Sequence, residues 1–297
     1  MGEMIGKKLL AFDLDGTLIC VLKGSQPGSA VSKENQEALH ETAKMGHVNS
    51  VITGRSFMDT PKIITENSDI KYIAVSNGSI IRNIRKKCEV HRELIPQENG
   101  AKMLSALKGI NYSAFLYYPD RMVSSYLDFP KLCSIGKSGN RFPYFRNLKY
   151  RLKYLKQTTY VGNLGKYVLN AEDGIAKCDI KLIDKSEAAK AAEKLKQVPG
   201  IEFVMFTEKS IEVTAAGVNK GNALRKIAEL ENISEENIYA FGDSENDLPM
   251  RNAAKVLICM GDGCKKLKAV ADYISLKSTE HGVAEAIWKL ILNINRQ

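Results

Sequence analysis

The sequence has no run approaching the roughly twenty consecutive apolar residues that a membrane-crossing helix needs. Met1 to Lys8, with Glu3 among them, lacks the apolar stretch of a signal peptide. A soluble, cytoplasmic protein with no membrane partner is therefore the expectation. The six cysteines (Cys20, Cys88, Cys133, Cys178, Cys259 and Cys264) are scattered, and even the closest pair, Cys259 and Cys264, lacks a second pair at zinc-ligand spacing. That excludes a zinc ribbon or a disulfide framework and leaves free thiols in a reducing compartment. The four histidines (His40, His47, His91 and His281) show no spacing for a metal or a catalytic base. There is no internal repeat and no low-complexity segment. What the chain does have is ordinary globular composition, 44% hydrophobic and 26% charged over 297 residues, which suits two domains.

The net charge of +9 is unevenly placed. Residues 82–212 hold 24 Lys and Arg against 14 Asp and Glu, whereas the flanking pieces together hold 19 against 20. Phe129 to Ala171 contains no acid at all and interleaves nine basic residues with Phe142, Tyr144, Phe145, Tyr150 and Tyr154. Such a mixture reads either as a solvated amphipathic helix or as phosphate contacts with base stacking. A third reading is a positive surface that gathers an anionic substrate.

Lys8 to Phe12, which runs into Asp13, together with Val48 to Thr53 and Tyr72 to Ser76, are short apolar runs that deliver a polar residue at their carboxyl ends, the form of buried strands in a parallel sheet. Between the first two, Ser32 is placed to cap a helix over 33–44, with Gly46 beyond its end; a second helix is expected over 58–65. The rhythm breaks after Asn77-Gly78-Ser79. Mixed strand-like and helix-like runs follow, and the strand and helix alternation resumes at Lys220. The expected organisation is an α/β parallel-sheet core, 1–81 with 213–297, and an inserted α+β domain over 82–212.

In a parallel sheet, ligands bind beyond the carboxyl ends of the strands. The polar residues expected there are Asp13, Asp15, Thr53 and Asp243, with Lys220 and Asp247 from adjacent helices. This set suits phosphoryl transfer, in which an anionic ester must be neutralised, positioned and given a proton at its leaving oxygen. Asp13 is the candidate nucleophile, forming an acyl phosphate. Asp15 is the candidate general acid and base. Asp13 and Asp243 can hold magnesium, a hard cation that prefers carboxylate and water oxygens. Thr53 offers a hydroxyl to a phosphate oxygen, Gly54 leaves room beside it, and Lys220 supplies a compact charge. Taken singly, Asp-x-Asp-Gly is an ordinary turn, and Lys220 an ordinary solvated helix residue. Asn246 and Asp247 serve either as helix caps or as attendants of the metal or substrate. Arg55 is open between phosphate and a partner acid.

These residues resemble the four motifs of the haloacid dehalogenase superfamily: Asp-x-Asp-Gly-Thr at 13–17, Thr53, Lys220 and Gly-Asp-x-x-x-Asp at 242–247. Ile52-Thr53-Gly54-Arg55, Ser76-Asn77-Gly78 and Asn219-Lys220-Gly221-Asn222 narrow the likeness to Cof-type phosphatases of subfamily IIB. The resemblance implies a Rossmann-like core with a C2-type cap that sets substrate specificity, a magnesium cofactor, the Asp15 backbone carbonyl as a metal ligand, and a place near substrate for Asn77 and Gly78. It implies a phosphatase acting on a small phosphorylated metabolite, a sugar phosphate or a phosphorylated cofactor. Asp15 sets the chain apart from the P-type ATPases and dehalogenases, which lack a second acid there. Two alternatives stand beside it: a phosphomutase on sugar phosphates, and a basic module in which 129–171 binds nucleic acid or an acidic partner. The oligomeric state is not legible. Met260-Gly261-Asp262-Gly263 stands where the family often has Met-Gly-Asn-Ala.

Overall fold

A computed structural model describes residues 6–19, 30–128 and 157–294. The chain divides into two compact units, Met1–Arg92 with Val218–Gln297, and Glu93–Gly217. The first unit opens with β1 (Leu9–Phe12), α1 (Lys33–Lys44), β2 (Val48–Ile52), α2 (Lys62–Thr65) and β3 (Ile70–Val75), followed by a hairpin of β4 (Ile80–Asn83) and β5 (Cys88–Arg92). The second contains α3 (Gln97–Ala106), β6 (Tyr112–Tyr117), β7 (Met122–Ser125), β8 (Thr158–Val161), α4 (Leu164–Leu169), β9 (Lys177–Leu182), α5 (Glu187–Leu195), β10 (Ile201–Thr207) and β11 (Ser210–Ala215). The chain then returns to the first unit with α6 (Lys220–Glu231), β12 (Ile238–Gly242), β13 (Val256–Cys259), α7 (Lys265–Lys268), β14 (Tyr273–Ile274) and α8 (Gly282–Ala286).

The first unit is built on an eight-stranded sheet in the order β14-β13-β12-β1-β2-β3-β4-β5, parallel from β14 through β3. β1, β2 and β13 are almost wholly buried, as expected of strands covered on both faces. Ser32 caps α1 by accepting from the Asn35 N–H, and Asn35, Ala38, Leu39 and Thr42 form its buried stripe at helical spacing. Part of the core gathers Leu9, Ile52, Leu224, Ile227 and Leu257 from the sheet and α6. The second unit carries a six-stranded sheet, β10-β11-β9-β6-β7-β8, antiparallel except where β8 joins β7.

Several expectations need correction. The run from Ile80 belongs to the core sheet, because the turn at 76–78 sends β4 back antiparallel along β3, from Val75 opposite Ile80 to Tyr72 opposite Asn83. That pairing satisfies an edge that β3 would otherwise present, and it moves the division from residue 82 to Glu93. At the far end the division falls at Gly217 instead of 212, since β11 runs on to Ala215. The helix expected over 58–65 starts only after Pro61; before it, the Thr60 hydroxyl and N–H both bond Ser56 O in a turn. Glu245–Asn252 is a 3₁₀ stretch with Pro249 inside it. α8 gives way to a π-turn at Ile287–Ile291.

Most of the basic aromatic segment, residues 129–156, lies outside the described residues, as do Cys20 and Cys133. Cys88, Cys178, Cys259 and Cys264 are free thiols. Among the described residues, no helix is long and apolar enough to cross a membrane.

Candidate active site

The parallel register aligns the carboxyl ends of β12, β1 and β2: Phe12 lies opposite Phe241 on one side and Val51 on the other. Asp13, Asp243 and Thr53, each one residue past its strand, therefore emerge along one edge of the first unit's sheet. The Asp13 N–H continues the ladder by donating to Phe241 O at 2.9 Å, and the Thr53 N–H does the same to Ala74 O at 2.9 Å.

Lys220 opens α6, which Asn219 caps by accepting from the Asn222 N–H. The lysine is not a solvated helix residue. It is 1% exposed, and its ammonium donates at 2.6 Å to both Asp13 Oδ1 and Asp247 Oδ1. Burial alone would lower its pKa, but the two carboxylates outweigh burial and hold it raised and charged. Asp247 is wholly buried and takes two jobs: Oδ1 receives Lys220, while Oδ2 accepts the N–H groups of Asp243 and Ser244 at 2.9 Å. Ser244 and Asp247 form a capping box, so the cap is Ser244, and Asp247 is its acidic partner. Asn246 accepts from the Ser244 hydroxyl at 2.7 Å.

Asp13, Asp243 and Asp247 bring carboxylate oxygens within 4.8 Å of one another. Thr17 donates to Asp243 Oδ1 at 3.4 Å. Burial is the largest influence on Asp13. Lys220 works against it, Asp247 and Asp243 add to it, and the carboxyl titrates well above its ordinary range. Asp243 is pushed up to about 6, first by burial and then by Asp247. Three carboxylates facing one ammonium leave negative charge in excess, and the donors are all hard oxygens. The set fits a divalent cation of the magnesium type.

Two glycines make room for these carboxylates. Gly16 has φ +81°, and a Cβ there would stand 2.6 Å from Asp243 Oδ2; a Cβ at Gly242 would meet the Asp247 carboxylate at 2.6 Å. Gly54 is also tight, with the Asn77 side-chain oxygen 3.1 Å from where its Cβ would be. Asn77 has φ +59° and follows Ser76 at φ +51°, two left-handed residues in a row. Their N–H groups donate to Thr53 O at 2.9 Å and Arg55 O at 2.7 Å, bracing the loop after β2. Such backbone strain is usually retained at functional positions. Gly78 lies against Ala223, so the same turn abuts the start of α6.

Arg55 is the residue that sequence reasoning left unassigned. Its Nε donates to Asp15 Oδ2 at 2.7 Å and its Nη2 to Oδ1, a two-pronged fork on one carboxylate, while Nη1 donates to Asp59 O at 3.1 Å. The signal was its position two residues after Thr53; which acid it meets depends on β1 and β2 being neighbours.

Residues 10–287 match a family model described as haloacid dehalogenase-like hydrolase. The chain is 29% identical over 293 residues to the 5-amino-6-(5-phospho-D-ribitylamino)uracil phosphatase YwtE of Bacillus subtilis, covering 96% of this chain and 98% of that one. A solved haloacid dehalogenase-like hydrolase from B. subtilis superposes with a TM-score of 0.76 at 25% identity, over 96% of this chain and all of that one. The HAD subclass IIB sugar phosphatase BT4131 shares the fold, with a TM-score of 0.73 at 20% identity over 95% and 98% of the two chains.

Proposed function

The chain belongs to the haloacid dehalogenase-like hydrolases, and from that premise we propose that it is a magnesium-dependent phosphatase whose nucleophile is Asp13. The observation that carries this reading is the buried ammonium of Lys220 shared between Asp13 and Asp247, 2.6 Å from each. It fixes one oxygen of Asp13 and leaves the carboxylate aimed from the end of β1. Asp13, Asp243 and the Asp15 backbone carbonyl would hold magnesium, which would supply charge neutralisation at the phosphoryl group.

Asp13 attacks phosphorus, the bond to the leaving oxygen breaks, and an aspartyl phosphate forms. Asp15 donates its proton to the departing oxygen and then, as a carboxylate, takes a proton from the water that attacks phosphorus and frees Asp13. The Thr53 hydroxyl, the space at Gly54 and the Lys220 charge hold the phosphoryl oxygens through both steps. Asp247 acts through Lys220 and through the turn at 242–244. Asn246 steadies that turn through Ser244, and Asn77 and Gly78 sit beside the phosphate loop, within reach of substrate.

The substrate class is a small phosphorylated metabolite, a sugar phosphate or a phosphorylated cofactor. The YwtE relative's named substrate, a phosphorylated ribitylamino compound, fits that class. Residues 93–217 are the part that selects among such esters, as an inserted unit leaves the phosphoryl chemistry to the core. A phosphate-release screen over phosphorylated metabolites with magnesium tests the activity. Loss of release in Asp13→Asn is the expected result; full turnover by that variant, or isomerised sugar phosphate without free phosphate, overturns the assignment.

A further inference from the structure

The β4–β5 hairpin and the loops on either side of α2 enclose a cavity of about 920 Å³, within the size range of small-ligand sites. Three cations line it, Arg82, Arg85 and Lys87, with two acids, Glu66 and Glu89. Both acids already have other cations: Lys62 lies 3.4 Å from Glu66, and Arg92 forks onto Glu89 with its Nη2 at 3.2 Å. The wall is therefore positive on balance.

Arg82 is the unusual member. Its guanidinium carbon lies over the Phe57 ring, 4.2 Å from the centroid. Its Nε is buried and has no hydrogen-bond partner among the described residues, and its nearest carboxylate contact, to Glu89, is 3.9 Å. The side chain as a whole is 30% exposed, and guanidinium forks match phosphate oxygens closely. Arg85 is held in place, its Nε donating to Ser68 O at 3.2 Å across the cavity's rim. Two guanidinium groups and a lysine around one cavity suit a compact dianion.

We propose that this cavity binds a small phosphorylated molecule, at a site distinct from the strand ends that carry Asp13. Phe57, which lies against Arg82, is two residues beyond Arg55, so the occupant would touch the same loop that holds Asp15.

Cys88 is exposed and lines this cavity, so it reports on occupancy in the unaltered chain. The experiment measures the rate of Cys88 alkylation by N-ethylmaleimide, read at its own peptide by mass spectrometry, against rising inorganic phosphate. The expected result is a saturable slowing, absent from the Arg82→Gln, Arg85→Gln double variant when each protein's rate is taken relative to its own phosphate-free rate. A Cys88 rate indifferent to phosphate, or protection that persists in the double variant, overturns the proposal. Neither reading depends on turnover, so the outcome is separate from that of the phosphatase assignment.

Discussion

At Asp13, burial pushes toward the neutral acid while Lys220 pulls toward the carboxylate, and a nucleophile needs the second state. The division of labour among the other acids follows from what each oxygen touches. Asp247 has both oxygens occupied by Lys220 and the N–H groups of the 243–244 turn. Asp247→Ala removes one counter-charge from a buried lysine and the capping interaction together, and should cost on the order of 3 kcal/mol in a denaturant titration. Asp15 is half-exposed, and the Arg55 guanidinium holds its carboxylate. Asp15→Asn should lower kcat by about 10²–10⁴-fold with alkyl phosphates and much less with an aryl phosphate, whose leaving group needs little help from an acid. Equal losses with both esters would place Asp15 outside proton transfer. The residues at 13, 15, 53, 220 and 243 were legible as candidates in the sequence because each lies at or just beyond the end of an element that periodicity can find. The Arg55–Asp15 fork and the Asp247–Lys220 pair were not, since contacts across 40 and 27 residues depend on strand order and helix rotation.

Among the elements, α1 and α6 follow their sequence signals closely, because Ser32 and Asn219 cap them and an apolar stripe fixes their buried faces. The misread elements share a cause: local geometry there is set by backbone exceptions. Pro61 delays α2, Pro249 lies within the 3₁₀ stretch, and the left-handed Ser76 and Asn77 turn the chain back into β4. The last turn of α6 is tied to β3 and to the chain before β1 through Glu231, which accepts from Tyr72 at 2.5 Å and pairs with Lys71 at 2.6 Å and Lys7 at 2.7 Å. Burial opposes ionisation of Glu231, but the bonds from Lys7, Lys71 and Tyr72 prevail and bring its pKa down to about 2. A depressed carboxylate stabilises the fold above the unfolded pKa of 4.5 and loses that contribution as pH falls toward 2. Glu231→Gln should therefore be less stable than the parent at pH 7, with the gap in urea midpoint narrowing below pH 4.5. A gap that stays constant down to pH 3 would contradict the ionised network.

For the whole molecule, a core interrupted by an inserted unit was readable because the strand and helix rhythm stops and later resumes. The place of interruption was misjudged by eleven residues at the first edge, from 82 to Glu93, since an antiparallel hairpin continuing a parallel sheet looks like the start of something new. Chelation of divalent metal should abolish phosphate release, and added magnesium should restore it; activity that survives exhaustive chelation would remove the ion from the account. The phosphoryl-enzyme step is tested most directly by the stereochemistry at phosphorus, using an ester made chiral with oxygen isotopes and sulfur. Two successive in-line displacements, the first by Asp13 and the second by water, predict that the released thiophosphate retains configuration. Inversion would mean that water attacks the ester in a single step, and would contradict a covalent role for Asp13.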